Sequence, residues 1–143
     1  MKRLIFASIM LFSIATASAT ERMVSFNNLP QKAKTFISTH FAELTFSYAK
    51  YDTDITDHDY EVVFTDGTKI DFNRRGEWRK VECSRSTTMP QAILPQGIVE
   101  YIDSTHPNTK IEEVERERKG FQVSLTNDVE IVFDQRGRVK WYD

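Results

Sequence analysis

The sequence predicts an α+β protein built from two tandem α-β-β-β-β units, each a helix packed on a four-stranded antiparallel sheet. Two observations lead to this class. The alternating stretch YEVVFTDGTKIDFNRRGEW, residues 60–78, repeats its apolar and glycine spacing in FQVSLTNDVEIVFDQRGRV, residues 121–139. A run with helical spacing that contains Leu-Pro precedes each stretch. Self-similarity at a fixed spacing is typical of a duplicated unit, so the same elements are expected in both halves.

Each unit is expected to begin with a helix. In the first unit Asn28 is a suitable cap, and Pro30 falls in the first turn, where its missing N–H is not needed. In the second unit apolar residues recur at helical spacing from Leu94 onward. First strands are expected soon after the helices, at residues 45–51 and 110–116.

The spacing of the apolar residues also predicts the register of the first hairpin. A two-residue loop at 66–67 would place the apolar rows of its two strands on opposite faces of the sheet. A three-residue loop at 65–67 instead pairs Val62 with Ile70 and keeps the apolar residues together. The last loop position must then be left-handed, a conformation that Gly67 adopts without steric cost.

The remaining turns follow the same rule. The second hairpin loop is expected at residues 126–128, with Asp128 in the left-handed position that Asp tolerates. Three-residue turns at 74–76 and 135–137 each end in glycine and lead to a third strand.

The third strands are expected to extend the apolar face. Trp78 is placed beside Phe72 in the first unit, and Trp141 joins the same face in the second. Val81 and Cys83 would then point the other way, unless a β-bulge re-aims the strand. The resulting units span residues 28–83 and 91–143, joined by a polar linker at 84–90.

The N-terminal residues 1–19 are typical of a signal peptide. A positively charged start is followed by a short apolar run, and Ala17-Ser18-Ala19 supplies the small residues that a signal peptidase accepts. The apolar run is shorter than the roughly 20 residues that span a bilayer, although a retained anchor is the alternative. The mature chain is therefore expected to start near Thr20, to contain no membrane span and to be periplasmic or secreted.

Charge and cysteine content restrict the partners. The formal net charge is −2 and no basic stripe is present, which argues against nucleic acid. Cys83 is the single cysteine and cannot form an internal disulfide, so the core must stabilise the fold. Cys83 is either a small buried apolar residue or a free thiol that pairs between chains, which leaves a monomer or a weak dimer open.

The acidic stretch YDTDITDHDY, residues 51–60, is the strongest candidate for a cation site. Counted from Asp52, the EF-hand pattern requires Gly and Glu where this chain has Asp57 and Val63, so the match fails. A polar connection between strands is favoured, because Asp suits turn geometry. A small-ligand or divalent-metal sensor using residues 52–59 is kept as the alternative function.

Catalytic motifs are missing from the sequence. It contains no nucleophile elbow, no phosphate-binding glycine loop and no His-Glu-x-x-His helix, so no enzyme, metal or cofactor is predicted. His40, His58 and His106 have no metal-ligand spacing. His40 and His106 fall at equivalent helix ends, where the helix dipole favours histidine.

The best candidate site is the sheet face opposite the helices, where an unidentified protein or peptide partner would bind. An ordinary solvated face with cross-strand charge pairs is the alternative. The predicted partner-binding residues are Glu61, Val63, Lys69, Asp71, Arg79, Glu130, Arg138, Lys140 and Tyr142; Val81, Gln122, Ser124 and Val132 share the face. Arg79, Lys140, Lys69 and Tyr142 are the expected anchors, because Arg and aromatic residues are enriched at interfaces.

Paired units that combine LPQKAKTFISTHF with YEVVFTDGTKIDFNRRGEW, behind an export signal, resemble the PepSY-like proteins. These are also described as β-lactamase-inhibitor-like, and they form an exported family of Bacteroidota. The resemblance covers the whole mature chain and rests on the Leu-Pro helix start, the Tyr-x-Val-x-Phe strand, the Asp-Gly-Thr turn and the Gly-x-Trp strand. The second unit keeps the spacing but replaces Asp-Gly with Asn127-Asp128 and Glu-Trp with Arg138-Val139.

The resemblance implies a duplicated helix-on-sheet fold of two PepSY-like repeat units and, by analogy, a sheet face that binds another protein. The expected function is an exported, non-enzymatic binding module, with inhibition of an envelope or secreted enzyme as one form of it. Self-association through Cys83 is a third hypothesis.

Overall fold

The protein is a single antiparallel sheet of nine strands with two α-helices, seen in a computed structural model that describes residues 21–53 and 58–143. The strands are β1 (Arg22–Val24), β2 (Phe46–Tyr51), β3 (Tyr60–Phe64), β4 (Lys69–Phe72), β5 (Trp78–Glu82), β6 (Ile111–Glu117), β7 (Gly120–Leu125), β8 (Glu130–Asp134) and β9 (Val139–Tyr142). The helices are α1 (Gln31–His40) and α2 (Gln96–Thr105), and the short 3-10 helices Phe26–Asn28 and Gln91–Ile93 precede them. The expected signal peptide, residues 1–19, and residues 54–57 of the acidic loop lie outside the described residues.

The α+β class is confirmed, and the strands belong to one sheet rather than to two separate four-stranded sheets. Each strand pairs with its neighbours in chain order, so β5 pairs with β6 across the middle of the molecule. Val81 lies opposite Val114 in this pairing, which continues the core face from one half to the other. After β1, a strand that the sequence pattern did not indicate, the order of one helix and four strands occurs twice.

Both helices cover the same face of the sheet. Ala33 and Ile37 of α1 and Ile98 and Ile102 of α2 are buried in one apolar cluster. In each half an edge-to-face aromatic contact joins the helix to the sheet. The Phe36 ring meets Phe72 edge-on at 5.7 Å, and Tyr101 meets Phe133 in the same way at 5.7 Å.

The predicted hairpin register is confirmed in both halves. Val62 lies opposite Ile70, and the Phe64 N–H donates to the Thr68 carbonyl at 2.9 Å across a three-residue loop. The last loop positions are left-handed as expected, with φ of 93° at Gly67 and 64° at Asp128.

The third strands differ from the expected alternation because each contains a β-bulge. In the first half Phe72 lies opposite Trp78, as predicted, but Asp71 lies opposite Lys80, so Arg79 is an extra residue in the ladder. The bulge turns Val81 into the core, where it is fully buried. The expectation that Val81 lies on the sheet face opposite the helices is therefore wrong.

The second half has the same irregularity. Phe133 lies opposite Val139, whereas Val132 lies opposite Trp141, which makes Lys140 the extra residue. Trp141 consequently leaves the apolar face and is 52 % exposed. An extra residue in one strand reverses the alternation beyond it, and the pattern of apolar residues alone does not reveal where it occurs.

The connection between the halves is held by one carboxylate. Asp66, in the first hairpin loop, accepts hydrogen bonds from the backbone and side chain of Thr68 and from the hydroxyls of Ser84 and Thr87. Burial alone would raise the pKa of Asp66, but these hydrogen bonds outweigh it and lower the pKa to about 2. The segment at residues 84–90 is thereby attached to the first hairpin.

Cys83 lies beside that connection and is buried, at 6 % exposure, with its sulfur 4.0 Å from the sulfur of Met89. Of the two roles considered for this residue, the structure shows the buried one. Disulfide pairing between chains would require the end of β5 to open.

Substitution of two glycines should separate backbone strain from packing. Gly67 and Gly76 both have positive φ, but a Cβ at Gly67 meets open space, whereas one at Gly76 would lie 2.7 Å from the Pro30 Cβ and 2.9 Å from the Ala33 nitrogen. Gly67→Ala is expected to lower the free energy of unfolding by about 1 kcal/mol, and Gly76→Ala by roughly 2–4 kcal/mol. Urea denaturation measures both, and equal losses would contradict the close packing of this turn on α1.

Asp66 should contribute a stability that depends on pH. Its folded pKa of about 2 lies below the unfolded value of about 3.9, so its contribution is full above that value and is lost as the pH falls through 2. Asp66→Asn is expected to show a shallower fall in the free energy of unfolding between about pH 5 and pH 2 than wild type. Asp128→Asn, in the second hairpin loop, is the control, and the assignment fails if it flattens the profile equally.

Candidate functional site

The sheet face opposite the helices carries an unbroken row of residues, one from each strand. The cross-strand pairs place the members side by side in the order Met23, Lys50, Glu61, Asp71, Lys80, Glu115, Gln122, Val132 and Trp141. Because directly opposed residues point to the same side of a sheet, this row spans the full width of the molecule. We call this side the uncovered face.

A second row lies beside the first. Its members are Tyr48, Val63, Lys69, Glu82, Glu113, Ser124 and Glu130. Together the two rows contain six carboxylates and three lysines, and all three lysines lie on strands of the first half. The second half of the uncovered face is therefore the more acidic.

Partly buried contacts between polar side chains cross-link the centre of the uncovered face. Lys80 Nζ lies 3.0 Å from Glu113 Oε1, which joins β5 to β6. His58, from the connection between β2 and β3, places Nδ1 2.9 Å from Asp71 Oδ2 and Nε2 3.3 Å from Glu115 Oε1. The imidazole thus bridges the first half to the second.

Lys80 is held in its charged form by this setting. Burial alone would lower the pKa of Lys80, but its hydrogen bond to Glu113 and the nearby charges of Glu113, Glu115 and Asp71 outweigh it and raise the pKa. The ammonium therefore stays protonated across the physiological range and neutralises part of the acidic centre.

Five of the predicted partner-binding residues lie in the two rows: Glu61, Val63, Lys69, Asp71 and Glu130. Val63 offers little contact area, because its neighbours leave it only 7 % exposed. Lys69 is exposed, and Glu61, Asp71 and Glu130 are half-buried. Within each half these positions precede the bulge of the third strand, so simple alternation placed them on the correct face.

The other four predicted residues lie elsewhere. Arg79 and Lys140 are the extra residues of the two bulges. Arg138 lies in the last turn, where its Nε donates to Asp134 Oδ2 at 2.8 Å. Tyr142 lies opposite Ile131 on the helix side, and its hydroxyl contacts the Tyr101 hydroxyl and His106 Nε2 of the α2 end. Its prediction as an uncovered-face anchor is wrong, because the bulge exchanges it with Trp141.

Several residues of the uncovered face were missed by the sequence interpretation: Lys80, Glu82, Glu113, Glu115 and Trp141. For β6 the signal was present, since Glu113 and Glu115 flank the core residue Val114 in strict alternation. For β5 and β9 only the bulge positions would have revealed them.

The acidic loop contributes structure as well as charge. Asp59 is buried at 7 % exposure, and its Oδ2 accepts a hydrogen bond from the Arg74 N–H at 2.7 Å.

Within residues 21–53 and 58–143, no three His, Cys, Asp or Glu side chains are grouped to hold a metal ion. In the same residues, no helix has the length and apolar character needed to cross a membrane.

The fold and the uncovered face define a class: α+β modules with a single sheet, helices on one side and a polar, charged surface on the other. Within that class the chain belongs to the PepSY-like family, since the family model described as "Putative beta-lactamase-inhibitor-like, PepSY-like" matches residues 58–140. The family description is inhibitor-like and names no catalytic activity. No curated protein matches the chain.

Solved structures agree with this assignment. A "putative periplasmic protein" of the DUF2874 family from Bacteroides vulgatus is 36 % identical, with a TM-score of 0.80 over 88 % of this chain and 98 % of its own. A "putative calcium-regulated periplasmic protein" from Bacteroides thetaiotaomicron is 33 % identical, with a TM-score of 0.80 over 86 % of this chain and 96 % of its own. A "putative periplasmic protein of unknown function" from Bacteroides vulgatus is 30 % identical, with a TM-score of 0.79 over 86 % of this chain and 98 % of its own. The predicted location, periplasmic or secreted, is confirmed.

Proposed function

We propose that this chain is an exported, non-enzymatic binding module that docks a protein or peptide on the uncovered face and so inhibits an envelope or secreted enzyme. One observation carries the proposal: two parallel rows of side chains run across the sheet on the side away from the helices. Binding of this kind needs no chemistry, only a rigid surface of defined shape and charge.

The composition of the uncovered face supports a specific contact. Trp141 and Met23 stand at its two ends, 52 % and 66 % exposed, and can supply apolar contact area. Charged side chains between them would set orientation and suppress wrong partners. The contacts of His58 and Lys80 with carboxylates of neighbouring strands cross-link the centre, which would lower the ordering cost of binding.

We further infer that the two halves are tandem copies of one unit. The β2 bulge at Phe46–Tyr48 corresponds to the β6 bulge at Ile111–Glu113, and the interval between these bulges along the chain equals the interval between the starts of α1 and α2. Equivalent bulges in β5 and β9 also support duplication. On this reading the uncovered face consists of two related surfaces with different charge.

Site-specific photocrosslinking tests the docking proposal. With p-benzoylphenylalanine at Lys69 or Glu130, we expect a crosslinked partner in periplasmic extract, whereas the same group at Thr35 or Glu100 on the exposed sides of the helices should give none. The reverse pattern, or equal crosslinking at all four positions, contradicts the proposal. A charge-swapped variant with Lys69→Glu and Glu130→Lys should lose the captured partner, and the swap of Lys119→Glu with Glu100→Lys is the matched control.

A second candidate function is calcium-dependent regulation through the acidic loop at residues 52–59. It is favoured by the description of the Bacteroides thetaiotaomicron relative as calcium-regulated. Asp59 already holds the turn at Arg74, so ion binding at this loop would act directly on the packing of β3 and β4.

Calcium titration separates the two functions. A saturating site stabilises the fold by about 2.7 kcal/mol at a hundredfold excess over its Kd, so a rise in Tm over the EDTA control is expected if the loop binds calcium. Asp54→Asn combined with Asp57→Asn should remove the rise, while Asp103→Asn on α2 should keep it. An unchanged Tm in the wild type at millimolar calcium rules this second function out.

A further inference from the structure

One end of the sheet carries a row of exposed cations, contributed by the turns from β4 to β5, from β6 to β7 and from β8 to β9. Every second connection of an antiparallel sheet in chain order lies at the same end, so these three turns are neighbours. Since strands are about 4.8 Å apart, successive turns lie about 10 Å apart. The exposed cations are Arg74, Arg75, Arg118, Lys119, Arg136 and Arg138. We call the three segments, residues 73–77, 117–119 and 134–138, the basic end.

The basic end is positive although the chain as a whole is not. Its segments contain six cations and three carboxylates, a net charge of +3, whereas the whole chain has a formal net charge of −2. Lys32 of α1 adds a further cation, 3.7 Å from the Glu77 carboxylate. On the first-half side Asp59 lies against the Arg74 backbone, so the excess of positive charge lies toward the second half. The linear sequence shows no basic stripe, because three separate turns supply these cations.

The two turns that end in glycine hold their arginines in equivalent places. Asn73 Oδ1 accepts a hydrogen bond from the Arg75 N–H at 3.0 Å, and Asp134 Oδ1 accepts one from the Arg136 N–H at 2.9 Å. Such bonds to a residue two positions on are typical of Asx turns. The backbone under both arginines is therefore already ordered, which lowers the cost of binding a ligand there.

Both helices direct their N-terminal ends toward the basic end. A Cβ at Gly76 would lie 2.9 Å from the Ala33 nitrogen, and a Cβ at Gly137 would lie 3.0 Å from the Ile98 nitrogen, so each turn packs on the first turn of a helix. Among the described residues neither α1 nor α2 has an acidic side chain in its first turn or a side-chain cap. The positive ends of both helix dipoles therefore add to the field of the arginines.

We propose that the basic end docks the exported protein on a membrane surface that contains anionic phospholipid, with the turns against the phosphate groups. A line of turn tips suits a flat charged surface. A protein partner would require apolar contact at the centre of the interface. The large exposed apolar residues of the described chain, Met23, Trp141 and Tyr142, all lie outside these turns. The docking site is separate from the uncovered face and does not depend on it.

Vesicle cosedimentation of the exported form, without residues 1–19, tests the proposal. The probes are vesicles of phosphatidylglycerol and phosphatidylcholine in equal parts, and vesicles of phosphatidylcholine alone. We expect binding to the anionic vesicles only, at about 10 mM salt, where the Debye length is about 30 Å. The binding should weaken steeply at about 0.1 M salt, where the Debye length falls to about 10 Å.

Matched pairs of substitutions test the location. Arg75→Gln combined with Arg136→Gln should weaken vesicle binding about 25-fold, because each cation near an anionic surface contributes about fivefold. Arg85→Gln combined with Lys110→Gln removes the same charge from exposed positions at the opposite end of the sheet, and should leave binding within about twofold of wild type. Thermal melting checks that both variants fold.

Two further variants make the result specific. Arg118→Gln combined with Lys119→Gln should weaken binding as the first pair does, and it replaces that pair if the first variant does not fold. The charge swap of Lys69→Glu with Glu130→Lys on the uncovered face should bind vesicles as wild type does. Failure of membrane docking and failure of partner binding on the uncovered face are thereby distinguishable.

The proposal is overturned if anionic vesicles are not bound at low salt, if phosphatidylcholine vesicles are bound equally, or if the two ends of the sheet show equal losses. Polyglutamate is the probe for an acidic polypeptide, and its binding at the basic end without vesicle binding would assign the site to a protein. Displacement of the vesicles by about 10 mM inorganic phosphate, at matched ionic strength, would assign it to free phosphate. Either of these results also overturns membrane docking.

Discussion

The pairing of β5 with β6 is the contact on which the rest of the molecule depends. Val81 and Val114 meet at its centre on the core side, while Lys80 and Glu115 meet on the other side. Through this one ladder the apolar faces of the two halves join in a single core. The same ladder makes the uncovered face continuous, because Lys80 of β5 and Glu113 of β6 form an ion pair between the two halves.

Strand β1 pairs with β2 at the edge of the sheet, as β5 pairs with β6 at its centre. Val24 lies opposite Ala49 as Val81 lies opposite Val114, and Ala49 occupies in the first half the position that Val114 occupies in the second. β1 thus gives β2 a hydrogen-bonded neighbour on its outer side, as β5 does for β6. Without it β2 would expose its free N–H and C=O groups, which invites pairing with other chains.

Much of the fold could be predicted from the sequence, because the hairpin loops carry residues that tolerate the left-handed conformation at the positions that require it. Gly67 and Asp128 take the left-handed position in loops of equal length, and the core residues of β3, β4, β7 and β8 alternate without interruption. The predicted facing of the residues in β5 and β9 was wrong, because the bulges at Arg79 and Lys140 leave no mark in the pattern of apolar residues. Each bulge turns every residue beyond it to the other face of the sheet. The sequence accordingly placed Glu61, Lys69 and Asp71 on the face where the structure has them, but it placed Tyr142 on the wrong face. Local alternation about Val114 indicates which way Glu113 and Glu115 face, but their position beside Glu82 and Lys80 depends on the long-range pairing of β5 with β6, which local pattern does not encode.

The burial of Cys83 affects how readily its thiol reacts in an oxidising compartment. Burial, with a smaller contribution from the charge of Asp66, raises the pKa of the thiol to about 12, so almost no thiolate exists at neutral pH. Thiolate is the species that attacks disulfides and that oxidants convert to sulfenic acid. The sulfur of Met89, itself a buried residue, lies 4.0 Å from this thiol. Because the thiol is buried and protonated, Cys83 of the folded chain is expected to react slowly with the thiol oxidants and disulfide catalysts of the periplasm.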